Sequence, residues 1–302
     1  MRSKIVVLAV AVALPALSTE AHSAFGIPGP TQLILDLVGK ITGGAVTATG
    51  VTGWPNNLHV DRLELRDAEG AWLVAEDVQL KWHPYLLATK DVAIDSVTAR
   101  LLRVPRLQAA SPNPAPPSNE PASLPVKIDV KSLHVDRVEI GAPVVGAAAA
   151  LSLDGSLALP TLLTPKANLH AVRLDGPGGD YKVDGTVTDT SIDATVAIVE
   201  PPHGFIADIA KLPDLGALDV DARVAGPRTG LATNVTLGAG PLHATANGTV
   251  NLAGETLDLH VVGNAPAMKP EPPRREDLAA SPSKFCALTL HFVADFMFVA
   301  RA

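Results

Sequence analysis

The sequence is poor in cysteine, aromatic residues and charge. Cys286 is the single cysteine among 302 residues, so no internal disulfide stabilises the fold. Aromatic residues make up only 4% of the chain and charged residues 18%, both low for a soluble enzyme domain. The hydrophobic content of 47% is therefore mainly Val, Leu, Ile and Ala, and this aliphatic surface has to be buried or covered.

Basic clusters are also missing. The net charge is −7, and Arg274-Arg275 is the longest basic run. Nucleic-acid binding and a polybasic membrane patch both require clustered Lys and Arg. The composition therefore excludes nucleic acid as an expected partner.

The first 23 residues are typical of a secretory signal peptide. Arg2 and Lys4 precede an apolar run from Ile5 to Leu17, and small residues follow around Ser23. The run is shorter than the roughly 20 residues that span a bilayer. We expect export to the periplasm with cleavage after Ser23; the alternative is an uncleaved anchor that associates the protein with the inner membrane.

Beyond this segment, one short amphipathic helix and many strands are predicted. The stretch TQLILDLVGKIT places Ile34, Leu37, Val38 and Ile41 at helical spacing. Residues 58–104 then alternate apolar and polar residues between turn signals, and WHPYLLATK indicates a one-turn helical connector. The pattern predicts an all-β fold, an elongated antiparallel meander that forms an open twisted β-groove.

A proline-rich segment divides the strands into two runs. Residues 105–125 contain seven prolines and few large apolar residues, which predicts an exposed, mobile loop whose deletion costs little stability. We therefore expect a first β-groove unit over residues 24–104 that includes the short helix. A second run of hairpins is expected over residues 126–266.

An octapeptide occurs once in each run. Residues 58–65 read LHVDRLEL, and residues 133–140 read LHVDRVEI. Strict alternation places Leu58 and Val60 on one face and Leu63 and Leu65 on the other, unless a bulge absorbs the shift. Two-sided burial and a bulged bend both fit, and in either case the same corner is built twice.

The order of these features resembles the N-terminal region of TamB, the translocation and assembly module family, which is related to the AsmA-like proteins. The features are the run LHVDRLELRDAEGAWLVAEDVQLKWHPYLLATKDVAIDSVTARLLRVPRL, the proline-rich break and the restart SLHVDRVEIGAPVVG. Later hairpins such as GLATNVTLGAGPLHATANGTVNLAG are similar to the repetitive body of that family. The resemblance covers roughly residues 30–266.

The resemblance implies a periplasmic β-groove that shields phospholipid acyl chains on the way to the outer membrane. It also implies outer-membrane and secreted protein assembly with a TamA-like barrel partner, through a C-terminal domain that this sequence does not match. Independently of the family, acyl chains exposed to water cost about 0.8 kcal/mol per CH₂. A lipid that crosses an aqueous compartment therefore needs an apolar lining, and alternating aliphatic strands provide one.

The first hairpin supplies the candidate site. Leu63, Leu65, Val78 and Leu80 are its alternating apolar positions, and we expect them to face lipid. Period two shows that a face is apolar but not what covers it. The alternative function is therefore a secreted β-solenoid with a closed core, either an adhesin-like binding module or a polysaccharide-active enzyme.

No residue pattern indicates catalysis. Six of the nine histidines follow a leucine in a strand pattern, at positions 59, 134, 170, 243, 260 and 291, which is not metal-ligand spacing. Asp-Arg pairs such as Asp61-Arg62 are typical of the solvated side of strands. We expect no enzyme activity, no metal and no cofactor.

The tail over residues 267–302 differs in character from the rest. It holds four of the six phenylalanines, the cysteine and two of the three methionines. A truncated or frameshifted gene would produce such a divergent tail. One further strand is the alternative, because Leu288, Leu290 and Phe292 alternate.

Overall fold

The structure is a computed structural model that describes residues 45–109, 127–161, 164–210, 216–264 and 286–292. All described strands lie in one sheet, and each pairs with its neighbours in chain order, so β1 and the last strand are its two open edges. The strands are β1 (Ala45–Trp54), β2 (Asn57–Asp67), β3 (Gly70–Trp82), β4 (Asp91–Val104), β5 (Lys127–Ile140), β6 (Ala149–Leu159), β7 (Lys166–Arg173), β8 (Asp180–Val187), β9 (Ser191–Glu200), β10 (Leu218–Pro227), β11 (Leu231–Ala239), β12 (Leu242–Asn251), β13 (Thr256–Asn264) and β14 (Cys286–Phe292). The prediction of an all-β open sheet is confirmed.

Three short helices connect strands. The 3₁₀-helix η1 (Pro84–Thr89) is the predicted one-turn connector, with Pro84 in its first turn, and it ends where Lys90 adopts a left-handed backbone with φ of 62°. The helices α1 (Ala142–Val145) and α2 (Phe205–Ala210) were not predicted from the sequence. Each is too short to carry the periodic signal of a helix.

The expected antiparallel meander is wrong at one position. Strands β4 and β5 pair in parallel, with Asp91 opposite Lys127 and Val104 opposite Ile140. Parallel neighbours need a long connection that returns along the sheet, and the proline-rich segment supplies it. Removal of all of residues 105–125 would leave no chain to make this return, so the expectation of a dispensable loop also has to be corrected.

The start of this connection is tied to the sheet. The Arg106 guanidinium donates to the Asp67 carboxylate at 2.8 Å, and the Ala109 N–H donates to the same carboxylate at 2.7 Å. These contacts, the Arg106 hydrogen bond first, hold the pKa of Asp67 well below its usual range. Mobility of the segment is therefore a prediction only for its later residues, which lie outside the described part of the chain.

The octapeptide is explained by a bend shared by neighbouring strands. Leu58, Val60, Leu63 and Leu65 are all buried on the same face, so two-sided burial does not occur. The inner positions instead step by three residues at one level of five strands, at Ala48 and Val51, Val60 and Leu63, Ala75 and Val78, Ala99 and Leu102, and Val135 and Val138. We call this level the crease.

Two left-handed residues produce the step at the crease. Gly50 has φ of 66° and Asp77 has φ of 54°, a conformation that shifts the side-chain alternation by one position. A Cβ on Gly50 would lie 1.9 Å from the Asp61 carboxylate. Glycine is therefore required by the backbone and by the close approach of β2.

Parallel pairing places the two octapeptides at the same height. Leu58 connects to Leu133 through the paired residues Leu80 and Val97. Because β5 runs in the same direction as β2, each residue of the second copy lies on the same level as its counterpart. The repeat therefore marks one corner that recurs across the sheet.

Several predictions fall on residues that the structure does not describe. These are the signal peptide or anchor of residues 1–23, the amphipathic helix of residues 31–42 and most of the divergent tail. Within the tail, Cys286–Phe292 forms β14 and pairs with β13. The strand interpretation is confirmed for these seven residues.

Candidate functional site

One face of the sheet carries continuous apolar rows that cross every strand from β2 to β13. A row consists of residues directly opposite one another in successive strand pairs, and it runs perpendicular to the strands. The first row is Leu58, Leu80, Val97, Leu133, Gly155, Leu169, Val183, Val196, Ala222, Val235, Ala246 and Val261. No member of this row is polar. We call this side of the sheet the inner face.

A second row lies two residues along each strand. Its members are Val60, Val78, Ala99, Val135, Leu153, Ala171, Tyr181, Ile198, Val220, Leu237, Ala244 and Gly263. Tyr181 is its one member with a hydroxyl group. Two adjacent rows without charge form an apolar strip that crosses the sheet.

The opposite, outer face is polar at the same level. The row between the two apolar rows is His59, Gln79, Thr98, His134, Asp154, His170, Lys182, Ala197, Asp221, Thr236, Thr245 and Val262. Strand alternation therefore separates an aliphatic inner face from a hydrated outer face. Any apolar ligand of this sheet would bind to the inner face.

The inner face has two parts that differ in exposure. In β1–β6, which we call the packed segment, the inner side chains form one buried cluster. In β7–β13, which we call the accessible segment, the members of both rows are only half-buried or exposed, and Val183 is 40% exposed. The change occurs between β6 and β7.

The four predicted lipid-facing residues lie together in the packed segment. Leu63, Leu65 and Leu80 are 0% exposed and Val78 is 2% exposed. The structure therefore brings them onto one apolar face, as the alternation predicts, and buries them in its core. Their contact with lipid stays a prediction, and the part of the same face that is open to a ligand lies in β7–β13.

Small side chains line one level of the accessible segment. A third row passes from Ala167 through Gly185 and Ala194, and Gly248 continues it in β12. The same row in the packed segment holds Trp82, Ile94 and Val130. The accessible segment therefore has room above its backbone where the packed segment is filled by its own side chains.

A buried polar cluster closes one end of the accessible segment. The Glu200 carboxylate is 2% exposed, and it accepts hydrogen bonds from the Tyr181 hydroxyl and, at 3.0 Å, from the Ile206 N–H in α2. Burial, followed by the hydrogen bond to Glu200, raises the pKa of Tyr181. Glu200 thereby fastens α2 to the sheet.

Arg173 completes this cluster. Its guanidinium carbon lies 5.6 Å from the centroid of the Phe205 ring, and its Nε donates to Asp175 at 2.9 Å. Burial raises the pKa of Asp175, but the hydrogen bonds from Arg173 and the Ala150 N–H outweigh this and hold it below its ordinary value. The cluster is a structural seal with its charges compensated.

The histidines lie in pairs with carboxylates on the outer face. His134 contacts Asp154 at 2.5 Å and Asp136 at 2.9 Å, and His170 contacts Asp180 at 2.7 Å. The described residues contain no group of three or more His, Cys, Asp or Glu side chains arranged to hold a metal ion. Over the same residues, no helix is both long and apolar enough to cross a membrane.

The sequence did not indicate which part of the inner face is accessible. Alternation is equally regular in β2 and in β11, yet the first strand is covered and the second is not. A usable signal was the replacement of Leu and Ile by Ala and Gly in the later strands, at positions such as Ala194 and Gly248. Side-chain size in the rows, more than alternation, distinguishes the two segments.

Comparison with known proteins adds no assignment. No protein-family model, no curated protein and no solved structure matches the chain.

Proposed function

We propose that this protein is a TamB-like periplasmic β-groove protein that shields phospholipid acyl chains on their way towards the outer membrane. The observation that carries the proposal is the pair of uncharged rows across β2–β13, half-open over β7–β13. A hydrocarbon chain laid along these rows leaves water and contacts aliphatic side chains on successive strands.

The dimensions of the accessible segment fit an acyl chain. Neighbouring strands lie about 4.8 Å apart, so the six intervals from β7 to β13 give a strip of about 29 Å. A single acyl chain spans half of the roughly 30 Å hydrocarbon core of a bilayer. The strip is therefore long enough for the whole tail, and each covered CH₂ contributes about 0.8 kcal/mol.

The role in outer-membrane and secreted protein assembly, with a TamA-like partner, is proposed from the resemblance alone. Phospholipid is the cargo that the rows support directly, because an aliphatic strip without hydrogen-bonding groups suits a hydrocarbon better than a peptide backbone. Export to the periplasm is proposed from the first 23 residues.

The test compares two adjacent residues on opposite faces of β11. Val235 is half-buried on the inner face, and Thr236 is exposed on the outer face. The protein purified from cells is extracted, and its phospholipid is quantified by mass spectrometry. We expect Val235→Asp to lose the bound phospholipid while Thr236→Asp retains the wild-type amount.

The proposal has clear contrary outcomes. If the folded wild-type protein carries no phospholipid, shielding of acyl chains is wrong. If both variants lose lipid equally while their circular dichroism spectra stay native, the inner face is not the binding surface.

A further inference from the structure

Two aromatic side chains project into solvent at one end of the sheet. Trp54 is 78% exposed at the end of β1, and Tyr85 is 70% exposed in η1. They are the most exposed large hydrophobic residues in the described part of the chain. The other two tryptophans, Trp72 and Trp82, pack in or against the core.

These aromatic residues lie on adjoining connections. The turn of residues 54–57 meets the start of η1 through a hydrogen bond from the Trp82 N–H to the Asn56 carbonyl at 3.1 Å. The Lys127 N–H in turn donates to the Lys90 carbonyl at 2.9 Å, which joins the end of η1 to the start of β5. We call this continuous surface the aromatic end.

Three lysines flank the aromatic residues. Lys81, Lys90 and Lys127 are exposed, and none of them forms an ion pair with a residue that the structure describes. Nearby acids are already engaged, since Asp95 pairs with Lys131 and His83, and Asp91 accepts a hydrogen bond from Thr89. The aromatic end therefore presents uncompensated positive charge.

The opposite end of the sheet differs in this respect. Its arginines are paired with acids, Arg103 with Glu139 and Arg106 with Asp67. The charges that attract an anionic surface are thus confined to the end that also exposes Trp54 and Tyr85.

From this combination we propose that the aromatic end docks onto the interfacial zone of an anionic phospholipid bilayer. Trp and Tyr have an apolar ring and a polar group, and they are enriched at the level of lipid headgroups. Lysines beside them bind the negative surface of such a membrane. Docking here is separate from shielding of acyl chains by the inner face.

The test uses the full chain with vesicles that contain phosphatidylglycerol. We expect the fluorescence of Trp54 to shift to shorter wavelength on binding and to be quenched by lipids brominated near the headgroup. Trp54→Phe identifies the signal, because it removes the quenched component and leaves the emission of the buried tryptophans. This readout is local to the aromatic end and does not depend on other contacts with the vesicle.

Variants divide the interaction into two parts. The double variant Trp54→Ser, Tyr85→Ser should abolish the quenching and weaken vesicle binding at least tenfold. Each Lys→Gln change at the three lysines should weaken binding about fivefold, in a salt-dependent manner. The matched control is Leu107→Ser with Leu174→Ser, which removes two exposed apolar side chains of 46% and 49% exposure at the opposite end and should leave binding unchanged.

Several outcomes would overturn the proposal. These are an absence of Trp54 quenching, an equal loss of binding in the control variant, and binding to neutral vesicles as tight as to anionic ones. A dimer in sedimentation velocity that Trp54→Ser dissociates would assign the surface to a second copy of the chain. Lipid bound to the inner face is measured separately by extraction, so the two proposals succeed or fail independently.

Discussion

Exposure along a single row decides what one substitution does. Leu65 and Val183 are both aliphatic and both lie on the inner face, but the first is 0% exposed and the second is 40% exposed. A carboxylate on a fully covered position has no water and no partner, at a cost of several kcal/mol. The same carboxylate on an accessible position remains hydrated.

We therefore expect Leu65→Asp to unfold the protein and Val183→Asp to leave it folded. Circular dichroism and urea denaturation measure the fold, and mass spectrometry of extracted lipid measures the binding. Val183→Asp should lose phospholipid at unchanged stability. A folded Leu65→Asp protein would show that the packed segment is open in solution, and Leu65 would then be a true lipid contact.

The outer face contributes a pH dependence through His134. The hydrogen bond with Asp154, and next that with Asp136, raise the pKa of His134 above its ordinary value of 6.5. A raised pKa means that the folded state binds the proton more tightly than the unfolded state. The stabilisation is thus complete below about pH 6.5 and is lost as the pH rises through the pKa of the folded protein.

This prediction is checked by thermal unfolding at a series of pH values. Because these side chains are about half exposed, the effect should stay below about 1 kcal/mol. His134→Gln and Asp154→Asn should both flatten the profile between about pH 6 and pH 8. An unchanged profile in Asp154→Asn would mean that Asp154 does not set the protonation of His134.

At the scale of elements, the crease depends on a single glycine. Gly50 combines φ of 66° with a close approach of the Asp61 carboxylate. Gly50→Ala should lower the free energy of unfolding by about 1–3 kcal/mol, as measured by urea denaturation. Gly70→Ala is the control for backbone strain alone, since its φ is 107° but no atom lies within 4 Å of the added Cβ. Equal effects of the two changes would rule out the contact with Asp61 as a source of destabilisation.

The proline-rich connection has a minimum length. The chain leaves β4 at Val104 and must return to the level of Asp91, opposite which β5 begins. Thirteen strand steps of about 3.3 Å make this distance roughly 43 Å, which needs at least about 12 extended residues.

Shortening by stages therefore gives two expected outcomes. Deletion of residues 112–117 leaves enough chain and should preserve the midpoint of unfolding, whereas deletion of residues 105–125 should abolish the β4–β5 pairing and the native fold. Circular dichroism and hydrogen exchange distinguish the two results. A native spectrum for the longer deletion would contradict the parallel pairing.

Local patterns in the sequence were enough to identify these strands but not all of their pairings. Hairpin turns such as Asp67 to Gly70 bring antiparallel neighbours together, so the sequence determines those pairs. A long proline-rich connection permits either direction, and nothing in residues 105–125 distinguishes a return along the sheet from a loop at its edge. The crease was also ambiguous, because the shift between Val60 and Leu63 fits both a change of face and a left-handed residue in the neighbouring strand.

At the scale of the whole molecule, the sheet is continuous in hydrogen bonding but not in packing. The packed segment covers its side chains, and the accessible segment leaves its inner face half-open. The sequence predicted the apolar face correctly, since alternation places Leu63 and Val235 alike on it. It did not predict the difference between the segments, because covering depends on the curvature of the sheet and on contacts between distant strands.

This difference in packing predicts a gradient of stability along the sheet. Local opening costs least where few apolar contacts are lost, so amide hydrogens in β10–β13 should exchange faster than those in β2–β5. Native-state hydrogen exchange with mass spectrometry measures this directly on the full chain. Bound phospholipid would replace the missing contacts, and it should slow exchange in β7–β13 while leaving β2–β5 unchanged. Uniform protection across all strands of the lipid-free protein would show that the sheet opens as one unit, and the division into a packed and an accessible segment would have no energetic meaning.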